Sequence, residues 1–254
     1  MQAVIFLVDG MRPDGLKEAE TPNMDKLMET GAYTLSGRTV MPSSTMPAIV
    51  SLFMGVEPEQ HKALDVWVPL PRPAPTLIDV YKKADRRTAS FYNWEPLRNI
   101  ALPGSLDISF FTSDLTPLGD QELTEMAIMW LRKCKVDFAF VYLGHTDIAG
   151  HDHGWMSEPY LKAISDADMC IGQVLDVLDD ERLVVVTSDH GGHGKGHGTD
   201  CEEDMTIPVI FNGPGIPVGK EIGRTVEITD VAPTIASLVG LEAPKEWKGR
   251  AICF

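Results

Sequence analysis

Leu183-Val184-Val185-Val186-Thr187-Ser188-Asp189-His190-Gly191-Gly192 runs from a continuous apolar block straight into an aspartate, a histidine and two glycines. An unbroken aliphatic run of this length is what a strand covered on both faces requires, and its polar tail then falls at the strand's carboxyl end. Four more short runs rich in Val, Ile and Phe have the same form: Ala3 to Val8, Thr88 to Tyr92, Val136 to Leu143 and Ile207 to Phe211. Helical patterns lie between them. The clearest follows Ser157, a plausible N-cap, through Leu161, Ile164, Ala167, Ile171, Val174, Leu175 and Leu178 at spacings of three and four. Thr21-Pro22 before Met24, Leu27 and Met28, closed by Gly31, predicts a second helix, and others are expected at about 76–84, 118–133 and 230–239. Alternation of this kind predicts an α/β chain, a three-layer α/β/α sandwich with a mainly parallel central sheet. In such sheets, ligands bind outside the carboxyl ends of the strands.

The 254 residues are 44% hydrophobic and 23% charged, which excludes disorder and low complexity and suits a single domain spanning residues 1–254. With 22 Lys and Arg against 37 Asp and Glu, the net charge of −15 argues against a nucleic acid polymer as partner. Cys134, Cys170, Cys201 and Cys253 form no C-x-x-C pair and suggest neither a zinc knuckle nor a disulfide scaffold, so a reducing compartment is expected. The apolar run ending at Asp9 is too short for a signal segment, and no other run approaches the ~20 residues that span a bilayer. These features predict a cytoplasmic protein with no membrane partner; they set no oligomeric state. Residues 56–75 hold Pro58, Pro69, Pro71, Pro73 and Pro75, which excludes regular helix or central strand there and predicts a long surface connection, read as a rigid spacer in preference to a site-flanking loop.

The Asp and His residues fall at the strand ends. The first strand ends in Val8-Asp9-Gly10, the strand from Val136 leads into Gly144-His145-Thr146-Asp147 and then His151, and His197 follows Asp189 and His190 by a few residues. Aspartate and imidazole together suit zinc or manganese better than calcium or magnesium. Asp147 and His151, four apart, can meet one ion from a single helical turn or a tight loop. Taken singly, each Asp is an ordinary helix cap and each His an ordinary solvated ring. Gathered at one face of the sheet, they describe one site. Thr45, just ahead of Pro47 and an apolar helix ending at Gly55, reads either as an N-cap or, beside cations, as a nucleophile held at a helix N-terminus, with Ser44 as the backup.

In order along the chain, Asp9-Gly10 with Arg12-Pro13-Asp14, Thr21-Pro22-Asn23-Met24-Asp25, Thr45-Met46-Pro47, Asp147 with Gly150-His151, Ser188-Asp189-His190-Gly191 and His197-Gly198 resemble the alkaline phosphatase superfamily, within it the nucleotide pyrophosphatase/phosphodiesterase branch. Asp230-Val231-Ala232-Pro233-Thr234 and Gly249-Arg250 extend the likeness nearly to the end. The resemblance implies an alkaline phosphatase-like fold and two metal ions, zinc or alternatively Mn2+. One would be held by Asp9, Asp189, His190 and the Thr45 oxygen, the other by Asp147, His151 and His197. It further implies hydrolysis of a small-molecule phosphate ester or nucleotide through a covalent phosphothreonine on Thr45. The other ring nitrogen of each His would be fixed by His153, His193 or a backbone carbonyl.

The departures bear on substrate. The branch usually carries Asn, a phosphoryl-oxygen ligand, where this chain has Ala48, so the donor would come from backbone N–H groups at the helix start, Lys195 or Arg12. Sulfatases of the superfamily pair a Cys or Ser nucleophile with Arg four residues later; here Ile49 stands there, which argues against sulfatase activity. No large insertion of the kind in which mutases and many phosphomonoesterases place a cap is present. Trp67, Trp94 and Trp155 are candidate aromatics for a nucleotide pocket. The alternatives are a phosphomonoesterase or phosphonate (phosphonoacetate-type) hydrolase on the same residues, and, from another class, a non-catalytic metal-binding protein.

Overall fold

The computed structural model describes residues 1–64, 66, 70–179 and 181–254, so Trp67 lies outside the described residues. Among the described residues, eight strands form one sheet: β1 (Gln2–Val8), β2 (Ala32–Arg38), β3 (Thr88–Tyr92), β4 (Ile108–Phe111), β5 (Phe138–Leu143), β6 (Arg182–Thr187), β7 (Thr206–Asn212) and β8 (Lys220–Glu221), in the order β4-β3-β5-β1-β6-β7-β2-β8. From β4 to β6 every pairing is parallel, and β7 is antiparallel to both β6 and β2. The helices are α1 (Pro13–Glu18), α2 (Pro22–Thr30), α3 (Thr45–Met54), α4 (Pro58–His61), α5 (Leu77–Lys83), α6 (Pro117–Lys133), α7 (His145–His153), α8 (Glu158–Leu175), α9 (Glu202–Met205) and α10 (Val231–Leu238).

The period-2 geometry of β1 shows how the layers arise. Ala3, Ile5 and Leu7 join a core with α3, α5 and α10, while Val4, Phe6 and Val8 join the opposite core with α1, α2, α6 and α8. With both faces covered, the strand has no polar alternation, and the three-layer sandwich expected from the sequence is what forms. All five anticipated strands and all six anticipated helices are present, and Ser157 caps α8 by accepting from the Tyr160 N–H. That helix ends at Leu175 rather than continuing to Leu178. The Pro-rich stretch contains α4, with Pro58 in its first turn where a missing N–H costs nothing, which corrects the expectation of no regular helix there.

Helix α3 positions the site. Every residue from Met46 to Met54 is buried, and Phe53 meets the ring of Phe140 edge-on, 4.9 Å between centroids. Gly55 ends the helix at φ 58°, a left-handed conformation that suits glycine. Truncating a buried Phe of this kind costs ~3–5 kcal/mol, so the N-terminus of α3 is set by its packing and not by a cap. Ser44 is the N-cap residue and no side chain caps the helix.

Candidate active site

The three strand ends named in the sequence converge. Asp9 follows β1, Asp189 and His190 follow β6, and all three are buried with ligand-capable atoms grouped together; Asp147, His151 and His197 form a second such group. Asp147 and His151 come from one turn of α7, so the four-residue spacing is helical. The rings of His190 and His197 stack 3.8 Å apart, which makes the two groups immediate neighbours.

Each histidine is oriented by a backbone carbonyl: His190 Nδ1 lies 2.8 Å from Gly191 O, His197 Nδ1 3.0 Å from Ser43 O and His151 Nδ1 3.0 Å from Lys195 O. A carbonyl only accepts, so Nδ1–H donates and the Nε2 of a neutral ring carries a lone pair. His193 does not serve this role, since its Nδ1 pairs with Asp204, and His153 orients none of the three rings. Nε2 of His190 is 3.3 Å from Asp9 Oδ1 and 3.5 Å from Asp189 Oδ2; Nε2 of His151 is 3.4 Å from Asp147 Oδ2, and Nε2 of His197 is 3.6 Å from Asp147 Oδ1. Burial, then His190, push the His197 imidazole down to about 4, keeping it neutral.

The carboxylates are pinned on one side and bare on the other. Tyr142 donates its hydroxyl to Asp9 Oδ2, and the Gly10 and His190 N–H groups donate to Asp189 Oδ1 at 3.2 and 3.1 Å. Asp9 Oδ1, Asp147 Oδ1 and Asp189 Oδ2 are buried without a hydrogen-bond partner among the described residues. Bare carboxylate oxygens facing imidazole lone pairs are acceptors facing acceptors. A cation between them resolves that conflict, so the residues fit a borderline divalent ion bound through nitrogen and oxygen. Burial, then Asp189 and Asp147, raise the Asp9 carboxyl well above the usual carboxylate range, and burial raises that of Asp147.

Thr45 is not a cap. Its hydroxyl lies 3.3 Å from His190 Nε2, at the start of α3, where the first N–H groups are left uncapped. Ser44 lines the same cavity as the N-cap residue. Neither side-chain donor considered for a phosphoryl oxygen points there: Arg12 is bonded to Asp14 and Gly192 O, and Lys195 donates to the Asp152 carbonyl. Ala48 is fully buried in the apolar core, so of the three donors considered the backbone N–H groups remain.

A cavity of ≈ 300 Å³ opens over Thr45, Asp9, Asp147 and His197, walled by Met46, Leu64, Val66, Trp94, Leu115 and Tyr142. Leu64 and Val66 belong to the Pro-rich stretch, which therefore flanks the site instead of acting only as a spacer. Trp94 borders the cavity as the sequence suggested; Trp155 does not. Trp155 is buried under the histidines, edge-on to His151 at 5.1 Å, with Nε1 donating to Gly10 O at 2.9 Å. A Cβ on Gly150 or Gly192 would lie 2.7 or 2.2 Å from that indole, which explains why both are glycine. Sequence reasoning missed Tyr142, which reads as one more core residue of β5, and Asp120 of α6, whose carboxylate accepts from Gly144 N at 3.0 Å and His145 N at 3.3 Å at the start of α7.

Comparison with known proteins agrees with this geometry. The sequence profile described as type I phosphodiesterase / nucleotide pyrophosphatase matches residues 3–195. The 2,3-bisphosphoglycerate-independent phosphoglycerate mutase of Staphylococcus aureus is 32% identical over 149 residues, 56% of this chain and 28% of the mutase. The chain thus matches under a third of the length of such curated relatives. Among solved structures, murine ectonucleotide pyrophosphatase/phosphodiesterase 5 superposes with a TM-score of 0.81 at 16% identity, over 96% of each chain. The phosphonate monoester hydrolase of Silicibacter pomeroyi gives 0.76 at 17% identity, over 99% of this chain and 75% of that one. At such identities the likeness is one of fold.

Proposed function

The chain belongs to the type I phosphodiesterase / nucleotide pyrophosphatase family, and from that premise we propose that it hydrolyses small-molecule phosphodiesters, nucleotides among them, with two divalent cations and Thr45 as nucleophile. Asp9, Asp189, His190 and the Thr45 oxygen would hold one ion and Asp147, His151 and His197 the other. Bound there, two cations, most simply zinc with manganese as the alternative, lower the pKa of a hydroxyl and offset charge developing on phosphoryl oxygens.

The observation that carries the reading is the Thr45 hydroxyl, free of any capping role and 3.3 Å from His190 Nε2. Its Oγ1 gives up its proton and attacks phosphorus while the bond to the leaving oxygen breaks and that oxygen takes up a proton, so that Thr45 carries the remaining phosphoryl group, with its one organic substituent, as a phosphothreonine ester. Water then cleaves the Oγ1–P bond, releasing the product and restoring the hydroxyl. The uncapped N–H groups at the start of α3 offer hydrogen bonds to a phosphoryl oxygen, and the helix dipole favours negative charge at that end. No Lys or Arg lines the cavity among the described residues, and Met46, Leu64, Val66, Trp94 and Leu115 give it an apolar side next to the polar groups of the site. That lining suits a singly charged diester with organic groups on both sides better than a doubly charged monoester. Support also comes from the fold neighbour murine ectonucleotide pyrophosphatase/phosphodiesterase 5, solved as an inactive Thr-to-Ala variant in complex with AMP.

The test is turnover of bis-nitrophenyl phosphate, nitrophenyl phosphate and phosphonoacetate by wild type, Thr45→Ser and Thr45→Ala, with intact-mass detection of the nitrophenylphosphoryl or phosphoryl adduct on the protein. Thr45→Ala should lose several orders of magnitude in kcat while keeping fold and metal. Full turnover by Thr45→Ala would overturn the mechanism; preference for phosphonoacetate or the monoester would overturn the substrate class.

A further inference from the structure

We propose a third cation site, separate from the two above, in which His193, Cys201 and Asp204 hold a thiophilic divalent ion such as zinc. The three residues lie in the segment between β6 and β7, and their ligand-capable atoms all fall within 4.8 Å of one another. His193 Nδ1 is 2.7 Å from Asp204 Oδ1 and 3.5 Å from Cys201 Sγ. Ligand pairs on a tetrahedral zinc ion sit ~3.3–3.7 Å apart. The Cys–His spacing is therefore already right, and the His–Asp contact would open by about half an ångström on binding, through rotation of His193, whose side chain is 51% exposed.

The carboxylate is prepared for this. Asp204 is completely buried, and its Oδ2 accepts from both the N–H and the hydroxyl of Thr199, at 2.9 and 2.7 Å, which fixes the plane of the group and directs Oδ1 at His193. Partners of this kind behind a ligand hold it in its binding orientation. Nitrogen, sulfur and one carboxylate oxygen leave a fourth tetrahedral position on the exposed side of His193 for water. On binding, the Cys201 thiol loses its proton to solvent, the His193 ring gives up the Nδ1 proton it shares with Asp204, to solvent or by taking the Nε2–H tautomer, and sulfur and nitrogen donate the freed pairs to the ion. The competing description is a plain His193–Asp204 ion pair beside an idle thiol.

The location gives the site a purpose. The same segment carries His197, and Gly191 and Gly192 donate their N–H groups to the carbonyls of Asp204 and Glu203. Ser43, whose carbonyl orients His197, donates its hydroxyl to the Thr199 carbonyl. An ion on His193, Cys201 and Asp204 would clasp the base of the loop that presents His197.

Cobalt(II) is the probe, because thiolate–Co2+ bonds give an intense near-ultraviolet charge-transfer band, whereas ligation by Asp, His and Thr gives only weak visible absorption. The full chain, stripped with chelator, is titrated with Co2+ and compared with Cys201→Ser and His193→Gln, two positions outside the core. Wild type should develop a thiolate band that saturates at one ion per chain; Cys201→Ser should lack it, and His193→Gln should need more than about tenfold higher Co2+ to reach it. A band that never forms while the visible absorption saturates, one that survives in Cys201→Ser, or one with unchanged affinity in His193→Gln would each overturn the proposal. Diester turnover reads separately. A missing band with normal turnover refutes this site alone, and a normal band without turnover refutes only the proposed hydrolysis.

Discussion

Asp120→Asn separates a buried charge from the hydrogen bonds it makes. Asp120 is 5% exposed and accepts from Asn93 Nδ2 at 2.7 Å as well as from the Gly144 and His145 N–H groups. Burial outweighs those three donors and pushes its carboxyl up to about 7 from 3.8. The folded state therefore binds the proton more tightly than the unfolded chain. The resulting stability is fully present below the unfolded value and is lost as pH rises through about 7. At 1.36 kcal/mol per unit the whole span is about 4 kcal/mol, and the part lost between about pH 5.5 and about pH 8 is about 2 kcal/mol. An asparagine does not titrate. It keeps Oδ1 for Asn93 and Gly144 but sets an amide N–H against the His145 N–H, an offset of ~1 kcal/mol that does not change with pH. Urea unfolding of both proteins, followed by tryptophan fluorescence in excess chelator, gives the difference directly. The stability of the variant relative to wild type should rise by about 2 kcal/mol from the lower pH to the higher. A difference constant to within about 0.5 kcal/mol would refute the reasoning, placing Asp120 in the ordinary carboxylate range with its burial offset by its donors.

Tyr142→Phe removes the hydroxyl that pins Asp9 Oδ2; cation affinity in a chelator competition should fall ~10–100-fold, and an unchanged value would sink the orienting role. Gly192→Ala places a methyl 2.2 Å from the Trp155 indole and should cost ~1–3 kcal/mol with a changed near-ultraviolet dichroism of that ring, while Gly196→Ala, with nothing within 4 Å, should be silent. Stripped of cations, the protein should gain stability from Asp9 and Asp147 as pH falls, because both folded values are raised; a loading cation should reverse the trend, read as melting temperature against pH with and without Zn2+.

What was legible in the sequence was whatever leaves a one-dimensional mark. β1, β3, β5, β6 and β7 are buried on both faces and so read as unbroken apolar runs. β2 escaped notice because Ala32–Arg38 is only half covered and carries Ser36 and Gly37, and β4 and β8 are short strands at the two edges. The reversal at β7 left no mark either, since direction follows from the path of the loop through the site and not from composition. Asp9, Asp147, Asp189 and the three histidines stood out because polar residues at strand ends break an apolar pattern. Tyr142 shapes the site as strongly, yet it is an aromatic within an apolar run, indistinguishable from core until the fold is known, whereas Trp155, a candidate pocket aromatic from the sequence, packs under the histidines instead.

The cavity draws on two sets of loops. Asp9, Asp147 and His197 come from the connections after β1, β5 and β6, whereas Val66, Trp94 and Leu115 come from those after α4, β3 and β4. The two sets are not independent: the Leu115 carbonyl lies 3.1 Å from His145 Nδ1, and Asn93 donates to Asp120, which accepts from the Gly144 and His145 N–H groups at the start of the turn that carries Asp147. On the proposed hydrolysis, a change at Leu64 would alter the choice of organic group, whereas a change at Trp94 or Leu115 would also reach the turn that carries Asp147, so selectivity and ligand geometry would shift together.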